Sequence, residues 1–82
     1  MEELREIRHR RAEVRVGKKG ITEDLINEIK RRVKKRKFVK ISLSKAVLIN
    51  NTKEGLIREL ENRANMDVIE VRGFTVIMRK RS

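Results

Sequence analysis

Residues 14–25 read Val14-Arg15-Val16-Gly17-Lys18-Lys19-Gly20-Ile21-Thr22-Glu23-Asp24-Leu25, and this stretch decides the fold. A short β-branched run enters a four-residue glycine loop. Thr22 then stands as a helix N-cap, with Glu23 and Asp24 in the first turn, where carboxylates match the positive end of the helix dipole. The reading is strand, tight loop, helix. Such a loop exposes backbone N–H groups beside a helix N-terminus, with two lysines at its tip, and that combination holds phosphate. A tight turn alone also accounts for glycines, through the backbone angles they permit. Lys18 and Lys19 are the first candidates for phosphate contact, and Gly17 and Gly20 set the backbone path.

Working outward, Leu25, Ile26, Ile29 and Val33 recur on one face, which predicts a helix from Thr22 to about Arg36. It opens on acidic residues and closes on basic ones. Val39, Ile41 and Leu43 alternate with Lys40 and Ser42, the pattern of a half-buried strand. Residues 46–50 follow neither period and read as a connection. Asn51 with Glu54 three residues on forms a capping box. The helix it opens carries Leu56, Ile57, Leu60 and Ala64 as its apolar stripe, and Asn65 suits the left-handed position that ends it. Residues 68–72 and 74–80 read as two strands joined at Arg72-Gly73. Pairing Val71 with Phe74 would place Ile69, Val71, Phe74, Val76 and Met78 on one buried face, although Arg72 is a poor type I′ turn residue. Toward the N-terminus, Glu13–Val16 reads as a strand. Glu2–Arg11 reads as a short basic helix with Leu4 and Ile7 on one side.

The order is therefore α-β-α-β-α-β-β. Two β-α-β passages imply right-handed crossovers and parallel neighbours, and the closing hairpin adds an antiparallel strand. The expected fold is an α/β two-layer sandwich: a four-stranded mixed sheet with helices on its apolar side. Periodicity leaves the strand order open.

The motif Gly17-Lys18-Lys19-Gly20-Ile21-Thr22-Glu23, followed by a helix and then Phe38-Val39-Lys40-Ile41, resembles the YhbY-like RNA-binding domain, also called the CRM domain. The closing hairpin, Val68 to Arg79 with its glycine turn, resembles that family too, so the likeness spans roughly residues 9–80. It implies the fold of the C-terminal domain of translation initiation factor 3. It also implies binding of structured ribosomal RNA and a role on precursors of the large ribosomal subunit. The family often carries a histidine near His9. Two features depart from it: the opening helix is short, and Ala12 stands where proline is common.

Eighty-two residues make one domain, spanning 1–82, with one modest core. The net charge is +11, which calls for a polyanionic partner. Residues 1–40 hold 15 Lys and Arg against 7 Asp and Glu, and residues 41–82 hold 8 against 5, so the first half should build the basic surface. There is no cysteine to form disulfides or thiolate metal sites. No apolar stretch approaches the roughly 18 residues of a membrane span and no apolar signal core follows Met1, which predicts a cytoplasmic protein without a membrane partner.

The run Lys30-Arg31-Arg32-Val33-Lys34-Lys35-Arg36-Lys37 holds seven cations in eight residues and no carboxylate. On a helical wheel Arg31, Lys34 and Lys35 point away from the apolar stripe. With Lys30 and Arg15 they form the second group of candidate RNA contacts. Such runs are commonly solvated helix faces. The two phenylalanines, Phe38 and Phe74, sit in patterns that bury them. The sheet then offers no stacking platform, and binding should rest on phosphate and shape. His9 reads as a surface histidine. Glu23 and Asp24 read as dipole partners, and Ser42, Ser44 and Thr75 have no base beside them. No catalytic set, cofactor motif or small-molecule site is recognised. Two other classes fit the same charge: an architectural DNA-binding protein of chromatin type, and a protein-interaction module of the ribosome.

Overall fold

The computed structural model describes residues 4–81. Val14–Val16 (β1), Phe38–Leu43 (β2), Met66–Arg72 (β3) and Thr75–Lys80 (β4) form one sheet in the order β1-β2-β4-β3. β1 runs parallel to β2, with Val14 opposite Ile41 and Val16 opposite Leu43. β4 is antiparallel to both of its neighbours. The second β-α-β passage therefore brings β3 parallel to β2 but one strand away, so parallel neighbours arise from the first passage only. The side chains explain the insertion. Val76, Ile77 and Met78 of β4 are all buried, a continuous apolar run suited to a strand covered on both faces. β3 has no fully buried residue after Met66 and takes the edge.

Three helices accompany the sheet: Leu4–His9 (α1), Glu23–Lys35 (α2) and Lys53–Ala64 (α3). Ile26, Ile29 and Val33 of α2 and Leu56, Leu60 and Ala64 of α3 pack on Val14, Val16, Val39, Ile41, Leu43, Val76 and Met78. Each such Val, Leu, Ile or Met side chain contributes about 1.5–3 kcal/mol on burial. This is the expected two-layer α/β sandwich on a four-stranded mixed sheet. The sequence placed every helix on one face, and here α1 differs. Its Ile7 is buried against Phe38 and Ile77, with Ile69 beside them. Phe38 precedes Val39, so it points to the other face of the sheet. Lys40 shares that face and donates from Nζ to the carbonyls of Arg8 and Arg10 at 2.8 and 2.7 Å, a cation closing a helix C-terminus. Of the predicted opening helix, Glu2, Glu3 and the side chain of Leu4 lie outside the described residues.

Local chemistry settles the ends of the elements. Thr22 caps α2, its Oγ1 accepting from the Leu25 N–H at 3.1 Å. α3 is capped by Thr52, whose Oγ1 accepts from the Gly55 N–H at 3.0 Å. Asn51, the expected cap, instead donates from Nδ2 to the Val47 carbonyl at 2.9 Å and closes a 3₁₀ turn, Val47–Ile49, in the connection after β2. Asn65 ends α3 in the left-handed region, φ 55°.

The hairpin departs from the expected register. Val71 faces Val76 and Arg72 faces Thr75, with an irregularity between Val68 and Glu70. The turn residues are Gly73 and Phe74, one step later than expected. Gly73 has φ +57° at the first central position, where a type II′ turn takes glycine. Phe74 thereby leaves the core and is 52% exposed, Val71 is 41% exposed, and Ile69 turns toward α1.

Because Thr52 rather than Asn51 satisfies an N-terminal donor of α3, Thr52→Ala should lower unfolding free energy by about 1 kcal/mol. Urea denaturation followed by circular dichroism measures it. A stability equal to the parent would show that the Thr52 hydroxyl is not a stabilising cap.

Candidate nucleic-acid interface

Val16 ends β1 inside the core, and its carbonyl accepts the Ser44 N–H at 3.1 Å. The chain then leaves the sheet at Gly17. The Gly20 N–H donates to the Gly17 carbonyl at 2.9 Å, so Gly17-Lys18-Lys19-Gly20 is a closed four-residue turn with the lysines at its two central positions. Both lysines are solvent-exposed. Beyond the turn, Ile21 packs against the core, and its carbonyl accepts from Arg63 Nη1 of α3 at 2.8 Å. Arg63 also bonds Glu59 one helical turn earlier, which orients it. The loop is thus held by its own hydrogen bond, by the cap of α2 and by a guanidinium from α3. Nothing in the local sequence signals the last of these.

The two glycines differ. Gly20 has φ +80°, a left-handed conformation that costs an L-residue roughly 1–2 kcal/mol. Gly17 has no positive φ, and a Cβ added there would meet nothing within 4 Å. Backbone geometry therefore explains Gly20. Nothing inside the protein requires glycine at position 17. What a bare Cα does offer there is close approach from outside.

The basic run on α2 is less uniform than its sequence suggests. Arg32 donates to Glu28 at 3.2 Å and lies 3.5 Å from Glu13, while Arg36 lies 3.7 Å from Glu13. Glu13 is largely buried, and its Oε1 has no hydrogen-bond donor, so these two arginines act on it through charge. Two of the seven cations are therefore matched by carboxylates the linear run did not contain. Lys30, Arg31, Lys34 and Lys35 are exposed and have no ion-pair partner among the described residues. Arg31, Lys34 and Lys35 line an open groove together with Glu13 and Glu28.

The structure does not gather all the candidates into one patch. α2 runs back from the loop toward the start of β2. With a rise of about 1.5 Å per residue, Arg31 lies about 12 Å and Lys35 about 18 Å along the axis from Glu23. The exposed carboxylates Glu23 and Asp24 stand between the loop and these cations. Arg15 alternates with the core residues Val14 and Val16, so it faces the α1 side of the sheet, away from α2. His9 is exposed at the end of α1.

Residues 1–80 match the family model of the CRS1/YhbY (CRM) domain. The chain belongs to this family of RNA-binding domains. The CRM domain described here is also similar to the solution structure of the hypothetical protein SAV1595 from Staphylococcus aureus, described as a candidate RNA-binding protein. That likeness has a TM-score of 0.72 at 24% identity, over 95% of this chain and 83% of that one, and it supports the fold. No curated protein matches the chain. No helix among the described residues is long and apolar enough to cross a membrane.

The contrast between the glycines gives a test within this CRM domain. Gly20→Ala should lose roughly 1–2 kcal/mol of stability. Gly17→Ala should melt at or slightly above the parent temperature, since alanine narrows the unfolded ensemble, yet bind RNA more weakly. Calorimetry and an RNA titration of both variants separate the two roles.

Proposed function

We propose that this CRM domain binds structured RNA, that of precursors of the large ribosomal subunit, and assists subunit maturation in the cytoplasm as a single domain. The observation that carries the reading is the turn Gly17–Gly20: two exposed lysines without carboxylate partners among the described residues, on a fixed backbone whose first Cα is open to solvent. A phosphate brought to that turn meets two ammonium groups and the exposed main chain. The same G-x-x-G logic clamps nucleic-acid backbone in KH domains. The ribosomal target comes from the family resemblance, and the phosphate chemistry from the residues.

The loop is the primary contact in this reading. Lys30, Arg31, Lys34 and Lys35 form a second contact for RNA long enough to run along α2, and Arg15 serves RNA that passes the edge of β1. No metal or organic cofactor enters the reading. The separation of the two cation groups by more than a helical turn makes their contributions independent.

Salt titration tests the arrangement. On single-stranded RNA the slope of log affinity against log salt should be near −0.7 for each phosphate contacted. Replacing Lys18 and Lys19 together with Ala should weaken binding and make the slope shallower by about 1.4, with circular dichroism unchanged. Replacing Arg31, Lys34 and Lys35 with Gln should act separately, and the losses of the combined variant should add. Equal affinity of parent and loop variant at every salt would remove the loop from the mechanism. Competition by duplex DNA as effective as structured RNA would favour an architectural DNA-binding role. Sedimentation with precursor particles, and absence from mature ones, distinguishes a maturation factor from a fixed component of the ribosome.

A further inference from the structure

The exposed large hydrophobic residues among the described residues are Ile49, Val71 and Phe74. All three lie at one end of the sheet. Ile49 is in the 3₁₀ turn after β2, Val71 is near the end of β3, and Phe74 is in the β3–β4 turn. This is also the end from which the glycine loop leaves β1. The register fixes the spacing. Val16 is opposite Leu43, and the Leu43 N–H donates to the Phe74 carbonyl at 2.7 Å. Val16, Leu43 and Phe74 therefore share one rung of the sheet. Strands lie about 4.8 Å apart, which puts Phe74 about 10 Å from the residue that enters the glycine loop.

The charge around this ring is that of a nucleic-acid surface. Lys45 follows β2 and Arg72 precedes the turn. Both are exposed, and neither has an ion-pair partner among the described residues. With Lys18 and Lys19 they make four exposed cations at the end of the sheet that carries the exposed Phe74 ring. Of the carboxylates near this end, Glu23, Asp24 and Glu54 belong to the first turns of α2 and α3, where they match the helix dipoles, and Glu70, which shares a groove with Arg72, is paired with Arg8. Among the described residues Phe38, the other phenylalanine, is buried. With no Tyr or Trp in the chain, Phe74 is thus the one phenyl ring that a partner can reach.

We propose that Phe74 is a stacking platform for an unpaired RNA base, next to a backbone held by the glycine loop, with Arg72 and Lys45 on the flanking phosphates. The proposal rests on the RNA-binding reading above and deepens it. The loop holds the strand by its phosphates, and Phe74 requires that the strand present a free base. The site therefore selects single-stranded or bulged nucleotides over continuous duplex. Stacking on an aromatic ring tolerates any base, so the selection is for an accessible base rather than for a sequence.

The test compares oligouridylate with the same strand carrying abasic riboses, at one salt concentration. The parent should prefer the base-bearing strand. Phe74→Ala should lose affinity for oligouridylate by roughly five- to 150-fold and bind the abasic strand as the parent does. Phe74→Leu, which keeps an apolar side chain but no ring, should behave like Phe74→Ala. Phe74→Trp should retain binding. Since the chain has no other Trp and no Tyr, its fluorescence should be quenched by oligouridylate and not by the abasic strand. Thermal melts of all three should match the parent, because the side chain is exposed. A parent that binds oligouridylate with a steep salt dependence, and a Phe74→Ala variant that binds equally well, would overturn the stacking role alone. That outcome would assign the apolar patch to a protein partner. A parent that binds neither strand would overturn the RNA reading and this inference with it.

Discussion

The seat of Ile26, Ile29 and Val33 on the β-branched strip of β1 and β2 is the contact on which the rest of the molecule depends. It joins the two parallel strands across α2 and so fixes both ends of that helix. One end carries the glycine turn out of the sheet at Val16, and the other returns the chain at Phe38. Because β1 is only three residues long, it adds few ladder hydrogen bonds of its own. Side-chain burial under α2 is what holds it, and the turn inherits that rigidity. Loss of packing at Ile29, which is fully buried, would therefore disturb the candidate phosphate site without touching a residue in it.

Much of this was legible in the sequence. The 3.6-residue period of α2, the alternation in β2 and the left-handed Asn65 each rest on local chemistry, and each appears where the local signal placed it. The elements misread share a different cause: two local arrangements of nearly equal merit, between which the sequence pattern does not choose. Asn51 and Thr52 are both good caps, and the choice fell to Thr52 because Asn51 reaches the carbonyl of Val47. The hairpin register turned on a single step in the position of Gly73. That step puts Phe74 in the turn rather than at the start of β4, which is why Phe74, read as core, lies in solvent. The burial of β4 on both faces had a visible sign in the unbroken Val76-Ile77-Met78. The place of α1 had a sign in Phe38-Val39, two adjacent apolar residues that a one-faced strand has no use for.

At the candidate site, the turn and its lysines could be read directly, since glycine spacing and exposed cations are local features. The pairing of Arg32 and Arg36 with Glu13 could not. Glu13 precedes β1, and only the β1-α2-β2 passage lays the helix over it. The effect is to sort the basic run: the arginines nearest the sheet are neutralised, and Lys30, Arg31, Lys34 and Lys35 keep their charge for solvent or a partner.

The restraint on the loop has a consequence for binding. A flexible lysine-rich segment would lose backbone entropy on meeting a phosphate, at about 1–2 kcal/mol per residue fixed. Here that loss is borne during folding. The Gly17 carbonyl, the Thr22 cap and the guanidinium of Arg63 already hold residues 17–22. Only the lysine side chains remain to be ordered when a polyanion arrives. Arg63 reaches Ile21 from α3, forty-two residues away in sequence, and the same Nη1 donates to the Ile21 carbonyl and to the Glu59 carboxylate. The Gly17–Gly20 turn is therefore coupled to the orientation of α3. An arginine that touches no partner joins the set that prepares the loop to bind one.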